Sequence, residues 1–168
     1  LPSSSGSRIA RIIVGDEERQ SASAGDAVMV TLANEIDVSR GDLFCSPVDR
    51  AETADQFSAN LVWMSSHALL KGRPYLLRCN TQTVIAQVSD IKFKLNVDSL
   101  EHVAAREVTC NEIAVCNFTV AKPIAFDSYT QNRETGGFIL IDRATNETVG
   151  AGMIQFALRR SHNIHWQA

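Results

Sequence analysis

The chain has 168 residues, 45% hydrophobic and 21% charged, with a formal net charge of −3. That is enough apolar chain for one domain or two small ones with a buried core, and it excludes disorder throughout. The acidic balance, with cations scattered except at Arg159–Arg160, argues against a nucleic-acid partner, no apolar run approaches the roughly 18 residues of a membrane span, and no apolar N-terminal segment marks a secretion signal.

Residues 7–14 (SRIARIIV) are rich in β-branched side chains and predict a strand. Residues 27–32 (AVMVTL) alternate, with Val28, Val30 and Leu32 on one side, and 42–45 (DLFC) predict a short third strand. Gly15, Gly25 and Gly41 punctuate the polar segments between them, and Asp16, Glu17 and Glu18 read as a solvated turn. Three strands in about 45 residues do not close a barrel. Residues 1–46 are therefore expected to be the last strands of a barrel whose first half lies elsewhere, in a longer protein.

Pro47 and the polar stretch 46–56 predict a linker. Six strands follow, at 56–64, 75–79, 83–93, 112–120, 137–142 and 147–158, an all-β pattern spaced for a closed antiparallel barrel over 47–158. Pro123 is expected to end its strand, since proline removes a ladder donor. Loops at 97–107 and 127–137 each have room for one short helix, and helix should stay under about 15% of the chain. Gly150 and Gly152 are expected to let another backbone approach, or to let the last strand curl onto the first. Residues 159–168, with Arg159, Arg160, His162, His165 and Trp166, read as a linker toward a following domain.

The chain carries no glycine-rich phosphate loop, no nucleophile elbow and no metalloprotease helix. Cys45, Cys79, Cys110 and Cys116 form no C-x-x-C pair and read as reduced thiols of a cytoplasmic protein. His162 and His165 are two ligands where a metal needs three or four, and His67 and His102 stand alone. No catalytic, cofactor-binding or metal-ligating residue is nominated. The candidate interface residues are the aromatics Trp63, Tyr129, Phe138 and Trp166, the last as an anchor of the tail onto another domain.

Two stretches carry a family resemblance. AGDAVMVTLANEIDVSRGDLF (24–44) resembles the closing strands of domain two in translation-factor GTPases, and ETVGAGMI (147–154) resembles the last strand of their third domain. LVWMSSHALLKGRPYLLRCNTQTVIAQV (61–88) and, above all, SYTQNRETGGFILIDR (128–143) are similar to the large, GTPase-type subunit of bacterial sulfate adenylyltransferase. The tail LRRSHNIHWQ resembles the junction in bifunctional, nodulation-type forms, where an adenylylsulfate kinase domain follows. The resemblance implies translation-factor-like β-barrels: the end of a domain-2 barrel and a complete six-stranded domain-3 barrel. It implies a cytoplasmic parent that makes adenylylsulfate and pyrophosphate from ATP and sulfate, driven by GTP. GTP, ATP and Mg would then be held outside residues 1–168. The implied partners are the small subunit, the protein's own N-terminal GTPase domain and the C-terminal kinase domain, with this chain a docking scaffold that performs no reaction. Two alternatives stay open, a translation-type barrel that binds RNA and a barrel that holds a small ligand such as a flavin.

Overall fold

A computed structural model describes residues 1–3, 5–97, 99 and 101–158. They divide into two compact units, one of Ser3–Ser39 and one of Leu1–Pro2 with Arg40 onward.

In the smaller unit, β1 (Ile9–Val14), β2 (Glu17–Arg19) and β3 (Val28–Leu32) form an antiparallel sheet in the order β2-β1-β3. Gly15, at φ 62°, turns β1 into β2. Glu17 and Glu18 thus lie in a strand rather than in the turn, and Arg11 on β1 pairs with Glu18 at 2.8 Å. No described residue of this unit is buried, and Met29 is 64% exposed. A single three-stranded sheet without a second layer cannot exclude water from either face.

The run at 42–45 does not become a strand. A strand needs a ladder, and what this segment makes with the chain start is a single reciprocal pair, the Leu43 N–H donating to Leu1 O and the Leu1 ammonium donating to Leu43 O, both at 3.0 Å, with an isolated bridge between Ser46 and Asp49 beyond it. Phe44 remains exposed.

The larger unit holds β4 (Glu52–Trp63), β5 (Tyr75–Cys79), β6 (Gln82–Leu95), β7 (His102–Val103), β8 (Ile113–Phe126), β9 (Gly137–Ile141) and β10 (Thr148–Ala157). Its strand order is β5-β9-β10-β4-β8-β6, and β6 pairs back to β5, closing a six-stranded antiparallel barrel with β7 appended to β6. The only helix among the described residues is the four-residue α1 (Arg133–Gly136). The all-β, closed-barrel expectation therefore holds.

Three boundaries differ from the sequence reading. β4 begins at Glu52, inside the expected linker, because Glu52–Ala54 pair with Ile124–Phe126. β8 does not stop at Pro123. Its register against β4 jumps from Thr119, opposite Gln56, to Ile124, opposite Ala54, so exposed Ala121, Lys122 and Pro123 lie in a bulge. A bulge is where proline's missing N–H removes no ladder bond. His102 and Val103 continue the sheet as β7 instead of forming a helix, with Leu95 opposite His102 and the His102 ring stacked 3.8 Å from Phe93.

The interior is filled by alternate side chains, as in any small barrel. Phe57, Phe118, Phe126 and Phe138 form one aromatic cluster with centroids 5.2–5.8 Å apart, and Trp63 meets Tyr75 edge-on at 5.7 Å. The last strand does pair with the first, Gly150 opposite Trp63 and Gly152 opposite Leu61. The glycine at 152 makes room for a side chain rather than a backbone: an ideal Cβ there would lie 2.5 Å from Phe138 Cε1 and 2.6 Å from Cε2.

Candidate functional site

Side chains that do not fill a barrel face outward, and on a soluble barrel those positions are normally polar. On β4, β9 and β10 a run of them is apolar, beside the polar pair in which Gln155 Nε2 donates to Asn60 Oδ1 at 3.0 Å. Val62 stands opposite Ala151, Ala151 opposite Ile139, and Met153 opposite Gly137. All are half-buried. They floor an open groove of about 470 Å³, whose rim includes Arg78, Asn80, Tyr129 and Arg133.

The loop between β8 and β9 builds one wall. Asn132 caps α1 by accepting the Glu134 N–H. The Thr135 hydroxyl donates to the Asp127 carboxylate at 2.6 Å, and the Cys79 thiol donates to Thr135 O at 3.2 Å. The Tyr129 N–H donates to Ile154 O at 2.8 Å, anchoring the loop to β10. A Cβ on Gly136 would lie 2.6 Å from Tyr129 N and Cα, so this close backbone approach requires glycine. The Tyr129 ring lies beside Gly137, whose own ideal Cβ would be 3.5 Å from Tyr129 Cε2. The Arg133 guanidinium sits 6.0 Å from the Tyr129 ring centroid, at the limit of cation–π range. One capped turn thereby fixes both an aromatic ring and a cation over the apolar floor.

Arg78 comes from β5, opposite Ile139 on β9. Neither Arg78 nor Arg133 forms an ion pair with a described carboxylate. The β6 side differs: Lys71 and Lys92 share Asp90 at 3.1 and 2.9 Å, and Lys94 holds Glu112 at 2.7 Å.

Of the aromatic candidates, Tyr129 is half-exposed and lines the groove. Trp63 is only 2% exposed and its Nε1–H donates to His67 O at 2.6 Å, so it is a core residue and not a contact residue. Phe138 borders the groove but is 4% exposed, because its ring stacks edge-on against Phe57 and Phe118 inside the barrel. Trp166, His162 and His165 lie outside the described residues. Sequence reasoning missed Arg78, Arg133 and Met153. The available signal was GFILI, an unbroken apolar run where a half-solvated strand should alternate.

The remaining titratable groups serve the fold. The Asp142 carboxyl is held below its usual range, chiefly by the Ala144 N–H, with Thr145 N–H and the Arg73 guanidinium at 2.6 Å adding to it against desolvation. It shapes the turn between β9 and β10. Burial pushes the Cys79 thiol up to about 11 and the Cys116 thiol up to about 12, which leaves neither nucleophilic. Among the described residues no three His, Cys, Asp or Glu side chains gather as metal ligands, and no helix is long and apolar enough to cross a membrane.

A closed six-stranded antiparallel barrel is the third-domain architecture that the resemblance to translation-factor GTPases implies. In fold the chain matches Sup35 complexed with GMPPNP at a TM-score of 0.83, over 95% of this chain and 39% of that one, at 19% identity. The chain belongs to the GTP-eEF1A C-terminal domain-like family, whose model matches residues 56–155. It is 49% identical to the bifunctional enzyme NodQ of Rhizobium sp. over 96% of this chain and 25% of that protein. It is 45% identical to the bifunctional enzyme CysN/CysC of Xylella fastidiosa over 99% of this chain and 27% of that protein. It is 43% identical to sulfate adenylyltransferase subunit 1 of Shewanella woodyi over 92% of this chain and 33% of that protein. The chain thus spans a quarter to a third of the length of these relatives.

Proposed function

We propose that the chain is the C-terminal barrel region of a sulfate adenylyltransferase large subunit of the bifunctional kind, working in the cytoplasm. The parent would form adenylylsulfate and pyrophosphate from ATP and sulfate with GTP hydrolysis as the drive, and would carry an adenylylsulfate kinase domain. The observation that carries this reading is identity of 43–49% over at least 92% of the chain to proteins bearing those names.

Within that parent, residues 47–158 act as a docking body for the GTPase domain and the small subunit, residues 1–46 supply strands to a domain-2-type barrel, and 159–168 lead toward the kinase. GTP, ATP and Mg bind elsewhere in the parent. A closed barrel suits this task, because it has no free edge to deform and so transmits a rigid-body shift of its neighbours. The outward apolar groove supports the docking role, since apolar surface on a free module costs solvation that a partner relieves.

The test is to express the whole reading frame with the small subunit and to follow pyrophosphate release from ATP. Release that requires sulfate and rises with GTP is expected; release indifferent to both would sink the assignment.

A further inference from the structure

We propose that the groove over β4, β9 and β10 seats a segment of a partner protein that carries carboxylates on either side of an apolar side chain. The inference rests on the docking reading and names the chemistry of what docks. Val62, Ile139, Ala151 and Met153 make a half-buried apolar floor. The cations above it, Arg78 and Arg133, are exposed and have no ion-pair partner among the described residues. No Asp or Glu lines the groove, although the chain as a whole carries a net charge of −3. This local reversal of sign selects an acidic occupant.

Guanidinium groups donate paired hydrogen bonds to carboxylates, which fixes orientation as well as energy. Tyr129 adds a ring held in place by its own loop, so contact there costs little side-chain entropy. The volume of about 470 Å³ suits a few side chains, not a whole domain. A protein segment fits better than RNA. Two arginines over four aliphatic side chains offer few phosphate contacts and an apolar floor that a sugar-phosphate backbone cannot cover.

The test measures binding of the sulfate adenylyltransferase small subunit to the full chain by titration calorimetry, at low and raised salt. The double variant Arg78→Glu with Arg133→Glu is expected to weaken binding by at least about tenfold, a loss of roughly 1.4 kcal/mol, while Lys92→Glu on β6 changes little. Arg78→Gln with Arg133→Gln should give a smaller loss and a flatter salt dependence. If the parent chain binds and both double variants bind equally well, the groove inference is overturned while the docking reading stands. If the small subunit does not bind the parent chain, the docking reading falls, and the groove is read directly with a synthetic peptide of alternating glutamate and leucine. Amide NMR shifts confined to 78–80, 129–139 and 151–153 would then uphold the inference. No shifts, equal shifts with a lysine–leucine peptide, or tighter binding of a short oligoribonucleotide would overturn it.

Discussion

Replacing Gly152 with alanine puts one carbon where the barrel has no space for it. The new Cβ would lie 2.5 Å from Phe138 Cε1 and 2.6 Å from Cε2, where carbon atoms rest at about 3.5–4.0 Å. The ring has nowhere to retreat, since its centroid is 5.2 Å from that of Phe118 and 5.8 Å from that of Phe57, and it is 4% exposed. Overpacking costs about 1–3 kcal/mol, and a ring wedged between two others belongs at the upper end. Against this, alanine recovers roughly 0.5–1 kcal/mol of the backbone entropy that glycine loses in a strand. The net loss is about 2 kcal/mol, or roughly 4–8 °C in Tm for a chain of this length. Urea unfolding followed by circular dichroism measures it. The same substitution beside Phe138→Leu should be milder, giving a coupling of about 1–3 kcal/mol between the two sites. Gly152→Ala within about 0.5 kcal/mol of the parent, the range of an inert surface change, would refute the reasoning.

Gly136→Ala sets a Cβ against the Tyr129 backbone and is expected to shift the 127–136 loop, weakening partner binding more than it lowers Tm; calorimetry beside a melting curve separates the two. Trp63→Phe loses the indole donation to His67 O and should cost about 1 kcal/mol in urea unfolding while leaving partner binding unchanged, because the residue is core. Asp142 has a depressed folded pKa, so its stabilisation is present above the unfolded carboxyl value of about 3.9 and is lost as pH falls through the folded value. Asp142→Asn should therefore melt below the parent at neutral pH, with the gap in Tm closing in more acid solution. For the raised thiols of Cys79 and Cys116 the sign reverses: their stabilisation is full below the unfolded thiol value of about 8.5 and is lost as pH rises through about 11 and 12. At mildly alkaline pH an aromatic disulfide reagent should label Cys110 and Cys45 rapidly, and Cys79 and Cys116 only as the chain unfolds.

The barrel was legible because its strands alternate. Phe57, Ala59, Leu61 and Trp63 recur every second residue and all face inward, which places Trp63 in the core once its neighbours are counted. Phe138 was harder. In GFILI both sets of side chains are apolar, so period two marks a strand without saying which face is outside. The same ambiguity hid the groove, whose floor is the outer set. Arg78 and Arg133 lie 55 residues apart in sequence and meet only through the pairing of β5 with β9 and the capped turn at α1. Pro123 misled because proline was read as a terminator, when a bulge accommodates it and Ile124–Phe126 pair again beyond it. The run at 42–45 has strand-like composition but pairs with Leu1 at a single position instead of joining a sheet, and strand propensity without a ladder fixes nothing.

The most direct test of the account is hydrogen exchange by mass spectrometry on the chain, alone and with the sulfate adenylyltransferase small subunit. Slower exchange in peptides covering 76–80, 129–139 and 151–153, with 83–92 on the β6 side unchanged, is the expected result. Protection confined to 83–92, or none at all under conditions where the whole large subunit binds, would contradict it.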